Sequence, residues 1–295
     1  MDILETDAPP DSFVGPPPSA CVTKWLSNVT PLFTTPVFIS RVGGVSINNG
    51  FDERDPFVSS DGLQLYFSRL SGSSEDILTA SRAAVGDPFS AAAVKLSLTD
   101  EAAIDSKVTM TGDDLIAFIA TERAGGEGAA DLWEARRSTR GTTGFDPMTQ
   151  EHLTAVNDGE KQLDPYISPD GLRLYLAAGN PQQIVLSSRA TLDDSFSAPQ
   201  PVTELNDTNG DADPVMTGDE RVVLFTRRDM NGSTDLFYAT RAERVLPFGV
   251  PQQVTFNSID LDADPMISPD GCTVYFTSTR DVGTSDFDLF VTTQL

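Results

Sequence analysis

The sequence predicts an all-β fold: a five-bladed β-propeller in which each blade is a four-stranded antiparallel sheet. One unit recurs five times at intervals of about 50 residues, and each copy is typical of four short strands. A strand-like segment also lies ahead of the first copy and indicates how the ring closes. Four strands within about 50 residues match a propeller blade, whereas solenoid repeats are shorter or helical.

Each unit is centred on a tight turn between its first two strands. Three copies are clear, DPFVSSDGLQLYF, DPYISPDGLRLYL and DPMISPDGCTVYF, and two are degenerate, DPVMTGDERVVLF and KVTMTGDDLIAFI. Apolar and β-branched runs flank the Asp-Gly pair, and the glycine supplies the positive φ that the turn requires. The turn aspartates of the five copies are Asp61, Asp113, Asp170, Asp219 and Asp270.

The third and fourth strands follow the turn. The third alternates apolar and polar residues, as in DILTASR, and the fourth follows a phenylalanine. The last copy ends at its third strand, while FTTPVFIS, beginning at Phe33, precedes the first copy. We therefore expect residues of about 33–39 to complete the last blade, which leaves no unpaired sheet edge. The predicted blades lie near 51–98, 103–154, 160–205, 209–256 and 260–295.

The first residues differ in composition from the repeats. MDILETDAPPDSFVGPPPSA is acidic and rich in proline, which predicts an extended tether over residues 1–28 and one propeller domain over 29–295. No apolar run approaches the roughly 18 residues of a membrane span, and no signal peptide is visible. A tether of this kind often follows an export signal, so we expect an exported protein without a transmembrane segment.

The chain is strongly acidic. It has 44 Asp and Glu against 20 Lys and Arg, a formal net charge of −24. Such a charge repels phosphate backbones, so we expect no nucleic-acid partner. The high negative charge is compatible with two interpretations, high solubility and a protein that functions among divalent cations. A calcium cofactor is therefore one of two open alternatives.

The two cysteines, Cys21 and Cys272, match no zinc or redox motif. The predicted closure brings Cys21 toward the last blade, which contains Cys272. A disulfide between them would staple the ring and imply an oxidising compartment, whereas two free thiols are the alternative. The sequence leaves both possibilities open because it does not give the Cα separation.

The signature DPxISPDGxxLYFxS, followed by an Asp-Leu-Phe third strand, resembles the WD40-like repeat of TolB and its relatives. The resemblance covers the chain beyond the tether. It implies a periplasmic or cell-surface protein that binds a protein or peptide partner at the channel mouth, without enzymatic activity. The chain has five copies where TolB has six and lacks the additional N-terminal domain, so the resemblance does not extend to the partners of TolB.

The innermost strands of a propeller line its channel, which makes the residues that open them candidate ligand or cation sites. These channel-rim candidates are Asp55, Lys107, Asp164, Asp213 and Asp264. Clustered carboxylates suit calcium, but aspartates repeated in nearly every blade also serve to hold turns, and a lysine among them offsets their charge without metal. A weaker metal series, without EF-hand spacing, lies two residues upstream: Glu53, Asp105, Asp211 and Asp262.

An extracellular glycoside hydrolase is the main alternative, because some five-bladed propellers are glycosidases and the pair of carboxylates that hydrolysis needs could come from Asp55, Asp164, Asp213 and Asp264. The acids follow the repeat consensus, however, and Trp25 and Trp133 lie in the tether and a third strand, poor places for a sugar platform. The single histidine, His152, lies in an outer strand, and no GxSxG motif accompanies it. We therefore expect a monomeric binding protein and assign no catalytic residues.

Overall fold

The computed structural model describes residues 19–27, 29–39, 47–90, 94–100, 103–140, 144–145, 149–280 and 286–295. These residues form five four-stranded antiparallel sheets, which confirms the predicted five-bladed propeller. The described chain begins with a short helix, α1 (Ala20–Trp25), and a two-residue strand, β1 (Val37–Phe38). Within the described part, no helix has the length and hydropathy needed to cross a membrane.

Four blades run from inner to outer strand in chain order. Blade 1 contains β2 (Asp52–Val58), β3 (Gln64–Ser71), β4 (Ser74–Ser81) and β5 (Val94–Lys95). Blade 2 contains β6 (Asp105–Met110), β7 (Ile116–Thr121), β8 (Asp131–Arg136) and β9 (Glu151–His152). Blade 3 contains β10 (Gln162–Ile167), β11 (Arg173–Ala178), β12 (Gln183–Ser188) and β13 (Gln200–Pro201). Blade 4 contains β14 (Asp211–Met216), β15 (Val222–Arg228), β16 (Thr234–Thr240) and β17 (Gln252–Gln253).

Blade 5 joins the two ends of the chain. Its inner strands are β18 (Asp262–Ile267), β19 (Thr273–Ser278) and β20 (Asp288–Thr293), and its outer strand is β1. Val37 pairs with Val291, and Phe38 pairs with Phe290. The predicted closure by the N-terminal strand is therefore confirmed.

The turn between the first two strands is held by its own side chains. In blade 1 the amide of Gly62 donates to the carbonyl of Ser59 at 2.8 Å, and Gly62 has a φ of 75°. Asp61 accepts bonds from the Ser59 hydroxyl at 2.6 Å and from the Leu63 amide at 2.9 Å. The repeated turn aspartate thus fixes the hairpin locally.

The core lies between blades, where the faces of adjacent sheets pack against each other. Apart from Trp25 of α1, its largest buried aromatic side chains come from the second strands and are Phe67, Phe118, Tyr175, Phe225 and Phe276. Burying one such side chain stabilises the fold by about 1.5–3 kcal/mol. This packing holds the five inner strands around a common axis.

Helix α1 differs from the tether predicted over residues 1–28, of which residues 1–18 and 28 lie outside the described residues. Its Val22 and Trp25 are each 2% exposed, and the Trp25 indole donates to the carbonyl of Gly271 at 2.9 Å. The prolines that suggested a tether end at Pro18, whereas Val22 and Trp25 share one helical face.

In blade 5, helix α1 takes the place of the loop that joins the third and fourth strands in the other blades. A Cβ added at Gly271 would lie 3.1 Å from Val22, just as one at Gly62 would lie 3.0 Å from Val85 in the loop between the third and fourth strands of blade 1. Residues 19–39 therefore provide both the missing connection and the missing strand of the last blade.

Candidate functional site

Five charged residues meet at the propeller axis, one from the inner strand of each blade. We call this set the axial cage: Asp55, Lys107, Asp164, Asp213 and Asp264. Each has a positive φ, between 36° and 56°, and each sits where the register of the first two strands shifts. A β-bulge of this kind re-aims one side chain, and here it turns the charged group toward the channel. Positive φ at a non-glycine residue is strained and is retained only where the surroundings enforce it.

Lys107 connects carboxylates across the cage. Its Nζ donates to Asp213 Oδ1 at 3.1 Å and lies 4.0 Å from Asp55 Oδ1. Asp55, Asp164 and Asp213 each place a carboxylate oxygen within 4.8 Å of the others, the spacing of a cation site. The lysine ammonium already supplies a positive charge to two of these three carboxylates.

A hydroxyl group on the second strand donates a hydrogen bond to each of three cage aspartates. Ser68 donates to Asp55 at 3.0 Å, and Thr277 donates to Asp264 at 2.7 Å. Thr226 bonds Asp213 in the same way. These hydroxyl residues lie thirteen positions after their aspartates, whereas the same position after Asp164 is Ala177 and after Lys107 is Ala120. The spacing from aspartate to hydroxyl is the sequence signal that identifies the cage.

Burial and neighbouring charges shift the pKa values of the cage aspartates in different directions. Burial raises the pKa of Asp264 to about 8 and that of Asp55 to about 6, and it raises the pKa of Asp164 well above its usual value. Burial also opposes ionisation of Asp213, but Lys107 and donated hydrogen bonds outweigh it and lower the pKa of Asp213. The carboxylates likewise raise the pKa of Lys107 despite its burial. At neutral pH the cage therefore contains an Asp213–Lys107 ion pair beside a protonated Asp264, while burial favours the protonated form of Asp164.

The weaker metal series lies further from the axis, and the structure pairs every member with an arginine. Glu53 contacts Arg69 at 2.7 Å, and Asp211 contacts Arg227 at 2.6 Å. Asp105 and Asp262 pair with arginines in the same way. The opposite carboxylate oxygens accept backbone amides from the loop that precedes each strand, namely those of Asn49, Asp100, Asp207 and Ser258. Burial still raises the pKa of Glu53 to about 7. These acids hold loops to strands and share no common point with the cage.

Next to the cage, an apolar pocket lies on the axis. Its volume is about 70 Å³, and the ends of all five inner strands line it. Its apolar lining includes Phe57, Met110, Tyr166, Met216 and Met266, and Lys107 also lines it. We call this the axial pocket. It opens on the face that carries the tight turns.

Glycines bring neighbouring turns together at the rim of the axial pocket. The amide of Gly112 donates to the carbonyl of Pro169 at 2.9 Å, and that of Gly218 donates to Pro269 at 2.8 Å. A Cβ at Gly112 would lie 3.1 Å from the Pro169 ring, so a larger residue would force the turns apart. Glycine and proline backbone thus joins the turns at two of the junctions around the rim.

The structure joins Cys21 and Cys272 in a disulfide, with a Cα separation of 5.2 Å. It attaches α1 to the first residue after the tight turn of blade 5. Of the two possibilities that the sequence left open, the structure contains the bridge.

Arginines that follow the third strands form bonds between neighbouring blades. Each of them also stacks on the phenylalanine before the fourth strand of its own blade, as Arg137 does on Phe145 at 4.6 Å. Arg137 also bonds the hydroxyl of Tyr66 in the preceding blade, and Arg241 bonds Tyr175 likewise. The recurrence of Tyr in LYF and of Arg in TASR is the sequence signal for this contact.

No protein-family model matches the sequence, and no curated protein does. Among solved structures, an α-L-arabinofuranosidase from Podospora anserina matches with 10% identity and a TM-score of 0.58, over 90% of this chain and 97% of that one. An α-L-arabinofuranosidase from Lactobacillus brevis matches with 9% identity and a TM-score of 0.57, over 83% and 90%. TolB from Acinetobacter baumannii matches with 11% identity and a TM-score of 0.49, over 83% of this chain and 55% of that one, so the chain spans about half the length of that TolB protein. At such identities the similarity to the arabinofuranosidases shows one thing, that this chain shares their propeller fold.

Proposed function

We propose that this chain is a non-enzymatic, exported propeller that binds a protein or peptide partner, and that the axial pocket receives an apolar side chain of that partner. The observation that carries the proposal is the pocket itself, which is apolar, open at the turn face and lined by every blade. Apolar pockets at the centre of an interface favour a single anchoring side chain. The resemblance to TolB-type repeats implies the same mode of binding at a channel mouth.

The disulfide supports export, because such bonds persist in oxidising compartments. A closed ring also needs no second copy to cover a sheet edge, so we propose a monomer. Periplasmic and cell-surface locations both fit these features.

The hydrolase alternative has less support from the cage. Hydrolysis of a glycoside needs one protonated and one ionised carboxyl group on opposite sides of the scissile bond. Asp264 and Asp213 have those protonation states, yet they are 7% and 5% exposed. Because so little of either side chain meets solvent, a substrate ring would have difficulty in reaching both.

The calcium alternative has less support for a related reason. Lys107 lies against Asp213 and Asp55, two of the three carboxylates that are close enough to share a cation. A calcium ion there would have to displace a buried ammonium from its ion pair. A scaffold that depends on calcium would melt at a lower temperature after addition of a chelator.

Peptide selection tests the proposal. A random peptide library displayed on phage is selected on the immobilised protein, and enriched peptides are then titrated against two variants. Phe57→Lys places a charge in the axial pocket, whereas Phe51→Lys makes the same change just before β2, at the opposite end of the strand, where Phe51 is 44% exposed. We expect the selected peptides to share an apolar residue and to lose affinity for Phe57→Lys alone.

Two results would overturn the proposal. One is a selection that enriches no peptide, or peptides that bind both variants equally. The other is release of reducing sugar from a polysaccharide panel by the wild-type protein, if Asp264→Asn abolishes that release while the melting temperature is retained. The second result would establish the hydrolase instead.

A further inference from the structure

At three of the junctions between blades, the outer ends are joined by one polar side chain, which precedes a buried apolar residue after the fourth strand. Between blades 1 and 2, the hydroxyl of Ser97 accepts the amide N–H of Phe145 at 2.9 Å. Between blades 3 and 4, the carboxylate of Glu204 accepts the amide N–H of Phe248 at 3.1 Å. Between blades 4 and 5, the hydroxyl of Thr255 donates to a carbonyl of the N-terminal segment at 3.2 Å.

The junction between blades 2 and 3 has no such bond. The segment after β9, LTAV, has the same length as VTEL after β13, and Ala155 takes the position of Glu204. Phe196 corresponds to Phe145 and Phe248, because it lies under the arginine of its own blade, Arg189, at 4.4 Å. Within the described chain, the Phe196 amide donates to no acceptor, and the same is true of the corresponding amide of Phe89, which lies under Arg82 at 4.4 Å.

A polar cavity of about 360 Å³ lies at this junction, within the roughly 300–1,000 Å³ usual for small-molecule sites. Ala155 and Phe196 both line it. The missing side chain therefore coincides with a space large enough for a ligand and with a buried residue whose amide still needs an acceptor.

Two charged residues of β8, Glu134 and Arg136, also differ from the residues at the same positions in the other blades. Glu134 bonds Arg136 at 2.7 Å and Arg189 of the next blade at 2.8 Å, and all three line the cavity. The residues at the position of Glu134 in the other third strands are Thr79, Leu186, Tyr238 and Val291. Residues that depart from a repeat at one junction indicate a role for that junction beyond the fold.

The charges around the cavity favour a neutral ligand. Glu151, Asp193 and Asp194 surround its mouth, and the whole chain has a net charge of −24, so an anion is repelled. The guanidinium groups of Arg136 and Arg189 in the wall repel a cation in the same way. Hydroxyl groups both accept from an amide and donate to carboxylates, which matches the polar groups present.

We infer that the cavity between blades 2 and 3 binds a neutral polyhydroxyl ligand, a sugar unit, one hydroxyl of which takes the place of the Ser97 and Glu204 side chains and accepts the Phe196 N–H. Leu153 and Leu192 offer apolar surface for the C–H face of the ring. This site is separate from the axial pocket, so the inference does not depend on the proposed function.

Amide chemical shifts test the inference. The ¹⁵N-labelled protein is titrated with glucose, N-acetylglucosamine and maltose, and with acetate as an anionic control. Ala155→Glu supplies the side chain that blade 3 has at this position, whereas Thr203→Glu adds the same charge at an exposed residue outside the cavity. We expect a saturable shift of the Phe196 amide in wild type and in Thr203→Glu, and its loss in Ala155→Glu.

The remaining outcomes contradict the inference. If none of the three sugars changes the chemical shift of the Phe196 amide, the cavity does not bind sugars and contains only water. If acetate alone changes it, the cavity binds anions instead. A sugar-induced shift that persists in Ala155→Glu would place the ligand elsewhere. Melting temperatures show whether Ala155→Glu folds, and Ala155→Ser, which copies blade 1, provides a smaller substitution if it does not.

Discussion

Lys107 donates a hydrogen bond to Asp213 at 3.1 Å, and the two residues belong to blades 2 and 4, which are not neighbours in the ring. The bond therefore crosses the propeller axis, while the other blade contacts described above join adjacent sheets. This buried ion pair links opposite sides of the ring at its centre.

Lys107→Met should destabilise the protein strongly, because it leaves Asp213 as an uncompensated buried charge. We expect the free energy of unfolding to fall by about 3–5 kcal/mol at pH 8, measured by urea denaturation. The loss should be smaller at pH 5, where Asp55 and Asp264 are protonated. Lys161→Met serves as the control, since Lys161 is 53% exposed and pairs with Glu122 at the surface. Equal effects of the two substitutions would contradict the structural role of the cage.

Stability should increase as the pH falls from 8 toward 4. Burial raises the pKa of Asp264 to about 8 and that of Asp55 to about 6 from the usual 3.8, so both groups bind protons more tightly in the folded state. Their contribution is complete below the unfolded pKa and is lost as pH rises through the folded pKa. Asp264→Asn should flatten the pH dependence of urea denaturation up to pH 8. A dependence as steep as that of wild type would show that other groups cause it.

Phe118→Tyr should stabilise the junction between blades 2 and 3. Phe118 occupies the position of Tyr66, Tyr175 and Tyr275, and Nη2 of Arg189 has no hydrogen-bond partner among the described residues. A hydroxyl there restores the bond made at other junctions, and we expect a gain of about 1 kcal/mol in thermal denaturation. Tyr175→Phe makes the opposite change beside Arg241 and should lose a similar amount. A destabilised Phe118→Tyr would mean that the hydroxyl does not fit.

Reduction of the disulfide should loosen the last blade. The bond joins residues separated by 251 positions, and its loss is expected to cost about 2–5 kcal/mol. Dithiothreitol should lower the melting temperature of wild type to that of the Cys21→Ser/Cys272→Ser double variant. The double variant itself should not respond to the reductant, and a response would indicate an effect unrelated to this bond.

The repeat made the fold predictable because each blade has the same turn, strand order and spacing. Counting outer-strand phenylalanines was enough to place Phe33 in the last blade, since a closed ring needs equal numbers of each strand. The period also put the five cage residues at equivalent positions on the axis. It could not reveal which carboxylate Lys107 contacts, because that depends on bulges that aim the side chains across the channel.

Features that depart from the repeat were harder to predict. Helix α1 has no counterpart in the other blades, so neither its position nor the burial of Trp25 followed from the period. The role of Ala155 is visible only when its neighbours across the junction are known. Alanine gives no sequence signal by itself, whereas the amide that lacks an acceptor is a property of the assembled ring.

The closure of blade 5 has a consequence for the order of folding. Residues 19–39 leave the ribosome long before their partners in β20 are synthesised. The segment must therefore wait, with Val22 and Trp25 exposed to solvent, until β20 has been made. Contacts between residues so far apart in sequence are slow to form. Pairing of β1 with β20 is thus expected to be a late step in the folding of the propeller.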